Sequence, residues 1–137
     1  VVKKTGTTPF SNRAINYVFS SNRDVGSYWK SPYTKKSVDS VLATTKDNLN
    51  KWVKVKANVK EDFKKFHGLD VNELDGLAIM SDTDNSKMRA IAYYQNIYLL
   101  LQKQYVREPF SIEILLTLFT MTSFVSSSMH NLSTGTN

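Results

Sequence analysis

Lys51-Trp52-Val53-Lys54-Val55-Lys56-Ala57 is the clearest alternation in the chain, and the residues directly behind it, Asn58-Val59-Lys60-Glu61-Asp62-Phe63-Lys64-Lys65-Phe66-His67-Gly68, change period. In the first stretch Trp52, Val53, Val55 and Ala57 stand against Lys54 and Lys56, whose ammonium groups belong in water, which predicts a half-buried strand. In the second, Val59, Phe63 and Phe66 fall at helical spacing. Asn58 is a residue type that caps a helix start, and Gly68 one that ends a helix in the left-handed region. A strand that runs straight into a short helix is therefore expected over residues 51–67.

Outward from this unit, four further runs read as strands. Arg13 to Ser20 sets Ala14, Asn16 and Val18 against Ile15, Tyr17 and Phe19. Ser37 to Thr45 sets Val38, Ser40 and Leu42 against Asp39, Val41 and Ala43. Leu74 to Ser81 is almost continuously apolar and reads as a buried central strand, and Ala90 to Leu99 is long, β-branched and aromatic. From Pro109, a helix-start residue, the spacing of Ile112, Leu115, Leu116 and Phe119 predicts a helical C-terminal tail. Only one connection between strands is helical, which favours a mainly β fold with α elements: an antiparallel sheet or β-sandwich with one short crossover helix. The organisation expected is a β-sandwich-like domain over 1–99 and a helical or disordered tail over 100–137, with no internal repeat.

The 137 residues include no cysteine, which removes disulfides, thiolate metal sites, cysteine nucleophiles and iron–sulfur clusters. Sixteen of the eighteen Lys and Arg precede residue 100, and the formal charge is +6. The lysines are scattered over strand and helix faces, with no glycine-rich phosphate loop and no RNA-binding aromatic signature, so a nucleic-acid partner is disfavoured against a solvated face. The chain opens Val1-Val2-Lys3-Lys4 with neither an initiator Met nor a long apolar leader, as a mature or excised segment would. Its most apolar stretch, Phe110 to Val125, falls short of the roughly 20 residues of a transmembrane helix.

A resemblance sharpens this reading. Leu74-Asp75-Gly76-Leu77-Ala78-Ile79-Met80-Ser81-Asp82-Thr83-Asp84-Asn85-Ser86, followed by Ala92-Tyr93-Tyr94-Gln95-Asn96-Ile97, resembles a closing segment of the bacterial domain-of-unknown-function family numbered 3047. Three more pieces fall in that family's order: Asn16-Tyr17-Val18-Phe19, Ser31-Pro32-Tyr33-Thr34, and the helix Val59 to Gly68. The similarity spans residues of about 12–99. It implies a jelly-roll-like β-sandwich of the sugar-binding type in an exported, periplasmic bacterial protein, with no assigned activity. The chain is similar to the C-terminal half of the family's domain, which implies self-association, pairing with a separate N-terminal half, or cover from the 110–125 segment. The family's G-D-I stands here as Gln95-Asn96-Ile97, without its carboxylate.

Three constellations could carry chemistry. Asp82-Thr83-Asp84-Asn85-Ser86 offers hard oxygen ligands in which Asp82, Asp84 and Asn85 could hold a structural calcium, or form an Asx turn and nothing more; both readings stay open. Tyr28-Trp29-Lys30-Ser31-Pro32-Tyr33 reads as an aromatic loop. Tyr28, Trp29 and Tyr33 could stack on sugar rings while Arg23, Asp24 and Lys30 bond hydroxyls, or one ring could fold back as a plug. His67 ends the helix, where a cation suits the dipole, and neither it nor His130 has a spaced partner for a relay or a zinc site. The function expected is a non-catalytic binding or structural module of the bacterial envelope that takes a glycan. A basic nucleic-acid or anionic-surface binder comes second and a hydrolase third.

Overall fold

The computed structural model describes residues 1–46, 48–82, 89–102 and 111–123. The fold is mainly β with one short helix. Its elements are β1 (Val2–Lys4), β2 (Asn12–Ser20), β3 (Tyr28–Lys30), β4 (Ser37–Thr44), β5 (Trp52–Asn58), α1 (Val59–His67), β6 (Arg89–Gln102) and β7 (Ser111–Ser123), with a 3-10 turn at Pro9–Ser11. They form a four-stranded sheet ordered β1-β2-β4-β3 and a three-stranded sheet ordered β5-β7-β6.

The β5–α1 unit is as its alternation and caps dictate. Val53, Val55 and Ala57 turn inward while Lys54 and Lys56 are exposed; Trp52, half-exposed, shares the lysine face. The Asn58 side chain accepts from the Glu61 amide at 3.3 Å, and Glu61 and Asp62 add negative charge to the first turn. At the other end Gly68 takes φ 68°, and the amides of Gly68 and Leu69 return to the carbonyls of Lys64 and Phe63. The apolar face of α1 packs on β2, so that Ile15, Val59, Phe63 and Val71 form a buried cluster ringed by Tyr17, Phe66, Leu69 and Leu74. The same helix touches β5 and β7 and so links the two sheets.

The first sheet is mixed rather than antiparallel. β3 pairs antiparallel with β4 on one side, which leaves β4 to run parallel to β2 on the other, from Ala14↔Ser37 to Ser20↔Thr44. A bulge at Leu42, between Val41 and Ala43 of β4, restores pairing with Phe19. Both edge strands are three residues long, which limits the open ladder they present.

Two further expectations are corrected. Leu74 to Ser81 is not a central strand: its ladder contact is a single bridge, Val2↔Gly76, and Leu77, Ile79 and Met80 are exposed. The central places are taken by β2 and β4 in one sheet and β7 in the other, so this run serves as a connector. Lys3 binds Glu73 at 2.9 Å and Asp75 at 3.2 Å, the Lys4 amide donates to Asp75, and the Tyr94 hydroxyl donates to the Met80 carbonyl. The tail is not helical over 111–123 but forms β7, antiparallel to both β5 and β6. Ile112, Ile114, Leu116 and Leu118 also recur at every second position, and the Thr content favours strand over helix.

Asn96 sits at φ 53° in a bulge of β6, where Asn96 and Ile97 stand between the pairs Gln95↔Thr117 and Tyr98↔Leu115. Asn tolerates this left-handed conformation far better than a β-branched residue would. Position 96 is thus a place with a backbone requirement of its own.

Candidate ligand-binding face

A tight turn sets up the site. Ser27 donates its amide and its hydroxyl to the Asp24 carbonyl at 3.1 and 2.6 Å, and Gly26 takes φ 85°, as the third residue of a type II turn must. The chain leaves this turn as β3, so Tyr28-Trp29-Lys30 is a short strand rather than a loop, and its side chains alternate between the faces of the sheet.

Register then separates the predicted binding residues. Tyr28 pairs with Ser40, which pairs with Tyr17, and this row faces α1. The Tyr28 ring lies 4.8 Å from that of Phe66, with the Lys65 ammonium 4.8 Å from its centroid. Lys30 shares that side and is exposed. Tyr17, in the same row, donates its hydroxyl to Asp62 at 2.6 Å, while His67 Nε2 lies 3.0 Å from the Ala14 carbonyl and ties the helix end to β2. Burial and the Asp62 carboxylate both push the Tyr17 phenol above its ordinary value of 10.0. The folded chain therefore keeps this proton at pH values where the unfolded chain loses it, so stability holds below about pH 10 and falls as pH rises further. Tyr17→Phe should cost about 1–2 kcal/mol at neutral pH by leaving Asp62 without its donor, and should flatten the alkaline decline in melting temperature.

The opposite face carries the row Asn16–Asp39–Trp29. Asn16 Nδ2 donates to Asp39 Oδ1 at 2.7 Å and to Ser37 Oγ at 3.1 Å. The Arg23 guanidinium lies 4.2 Å from the centroid of the half-buried Trp29 ring, a cation–π stack that fixes both. Tyr33 behaves differently: it is 86% exposed, on the turn between β3 and β4. That turn is pinned by Ser31 amide to Ser37 carbonyl at 2.9 Å, Lys36 amide to Thr34 Oγ1 at 3.2 Å and Tyr33 amide to Ser31 Oγ at 3.4 Å. Beside it lies an open groove of about 260 Å³ lined by Phe10, Asn12, Ala14, Thr34, Lys36 and Ser37. Phe10 is 79% exposed, and the Lys36 ammonium donates to its carbonyl.

This sheet, its turn and its groove lie within one family span. The family model described as Protein of unknown function (DUF3047) matches residues 1–98. The chain belongs to the DUF3047 family. The match occupies the N-terminal part of the chain, takes in β1 and the Phe10 turn ahead of the motifs, and ends within β6. No curated protein and no solved structure matches the chain.

Of the residues singled out in sequence, the structure brings Arg23 and Trp29 together, leaves Tyr33 exposed on the turn after β3, and turns Tyr28 and Lys30 to the other side of the sheet. Asp82 is exposed, and Asp84 and Asn85 lie outside the described residues. Among the described residues no three metal-ligating side chains gather. Sequence reasoning missed Phe10, Asn16, Ser37 and Asp39. The polar positions of β2 and β4 were visible as interruptions of an apolar alternation, but only the parallel register of these strands shows that they meet.

Proposed function

We propose that this DUF3047 chain is a non-catalytic binding module that holds a neutral glycan on the sheet face turned away from α1. The observation that carries the reading is Tyr33: an aromatic ring almost wholly in water, on a turn with fixed backbone that joins the two strands carrying Trp29 and Asp39. Rings of this kind contribute contact area at low entropic cost, and the Asp39 carboxylate, oriented by Asn16, is an acceptor of the type that takes hydrogen bonds from sugar hydroxyls. Trp29 and Arg23 act as a braced wall of the site rather than as a free platform. An exported, envelope setting, which the family resemblance implies, suits such a ligand.

The test is an array of neutral oligosaccharides built from glucose, galactose, mannose and N-acetylglucosamine, probed at low and high salt. Binding should persist at high salt, and Tyr33→Ala should weaken it by roughly tenfold, the upper range for loss of one aromatic contact. Absence of any glycan binding overturns the proposal. So does affinity for anionic polymers that falls steeply with salt and ignores Tyr33, which would favour the exposed lysines of β5 and α1 as the binding surface.

A further inference from the structure

We infer that the groove beside Phe10 is a second sugar subsite, so that the ligand of this face is an oligosaccharide rather than a single ring. The inference rests on the glycan-binding reading above. The groove and the Asn16–Asp39–Trp29 row are continuous: Ala14 and Ser37, which line the groove, are register partners two residues before Asn16 and Asp39 on the same sheet face. Two residues along a strand are about 7 Å, a displacement on the scale of one sugar unit. Ser37 joins the two places, since it is one of the residues lining the groove and its hydroxyl accepts from Asn16 Nδ2 at 3.1 Å.

The groove has the composition of such a subsite. Its lining is mainly apolar: Phe10 supplies an exposed ring, Asn12 and Thr34 supply an amide and a hydroxyl, and Ser37 is itself buried. At about 260 Å³ it lies below the roughly 300–1,000 Å³ of pockets for drug-sized ligands, so it suits one ring and not a chain. Hydrogen bonds within the chain hold its walls in place. The 3-10 turn that carries Phe10 is closed by the Ser11 amide and hydroxyl on the Thr8 carbonyl at 3.0 and 2.6 Å, and Thr5 Oγ1 donates to the Ser11 carbonyl. Lys36, the charged residue of the lining, donates to the Phe10 carbonyl, which holds one wall of the groove to the other and engages part of its ammonium. Preorganised walls of this kind favour binding by lowering its ordering cost.

The experiment is calorimetric titration of the full chain with the neutral series that binds on the array, from one to four rings, for wild type, Phe10→Ala and Tyr33→Ala. Wild-type affinity should rise at least tenfold between one ring and three. Phe10→Ala should abolish that rise while it leaves single-ring affinity within about threefold, and Tyr33→Ala should weaken every length. Phe10 is exposed, so its truncation should not disturb folding, and an unchanged melting temperature verifies this. Affinity that is flat with length in wild type, or a Phe10→Ala loss equal at all lengths, overturns the second subsite and leaves the glycan reading standing. Binding at no length overturns both.

Discussion

Ending the chain after Gln102 should abolish cooperative thermal unfolding. The truncation removes β7, the middle strand of its sheet, which pairs with β5 from Trp52↔Phe119 to Asn58↔Glu113 and with β6 from Arg89↔Ser123 to Gln102↔Ser111. Cross-strand pairs contribute about 0.2–1 kcal/mol each, so the loss of two whole ladders is comparable with the roughly 5–15 kcal/mol that stabilises a domain of this kind. β5 and β6 would be left as separate strands with open edges, and α1 would lose a neighbour. Size-exclusion chromatography and circular dichroism should show an aggregating chain without a sharp transition. A monomer that melts at the wild-type temperature would contradict β7 as the centre of this sheet.

Phe63→Ala should be the most damaging single substitution in α1. Phe63 has no exposed surface and meets Ile15 from β2, Val59 from its own helix and Val71 from beyond Gly68. Its removal opens a cavity where three segments converge, at a cost of about 3–5 kcal/mol. For a chain of this length that corresponds to a melting temperature lower by roughly 10–20 °C. Phe66→Ala is the control, because Phe66 lies on the rim of the cluster against Tyr28 and should cost distinctly less. Equal effects of the two would mean that the buried cluster is not where the helix is anchored.

The parts of the fold that were legible in sequence are those whose cause is local. β5 and α1 follow from an alternation that changes period between an Asn cap and a Gly stop, and β2, β4 and β6 from runs long enough for one pattern to dominate. The misread segments have causes elsewhere in the chain. A continuous apolar run such as Leu74 to Ser81 carries no period, so only competition for sheet positions decides whether it is buried. Ser111 to Ser123 satisfies a helical and an alternating pattern at once, and the partners β5 and β6 select the strand. β1 and β3 are too short to hold an alternation and exist through the strands beside them.

The site divides in the same way. The aromatic residues around Tyr28 to Tyr33 were visible as a cluster, but a one-residue step along β3 sends Tyr28 to α1 and Trp29 to the opposite face. That Trp29 would be braced by Arg23 while Tyr33 projects into water depends on the Asp24–Ser27 turn and on the pinned turn after Lys30. The Asn16–Asp39 bond joins residues 23 positions apart, and only the parallel pairing of β2 with β4 brings them together.

The central claim, that the face away from α1 is the binding surface, is tested most directly by mapping amide shifts of the ¹⁵N-labelled chain during titration with a neutral oligosaccharide. The account predicts saturable, salt-insensitive shifts confined to residues 10–16, 23–29 and 33–39. Shifts centred on Lys54, Lys56, Lys64 and Lys65, or none anywhere on the four-stranded sheet, would contradict it.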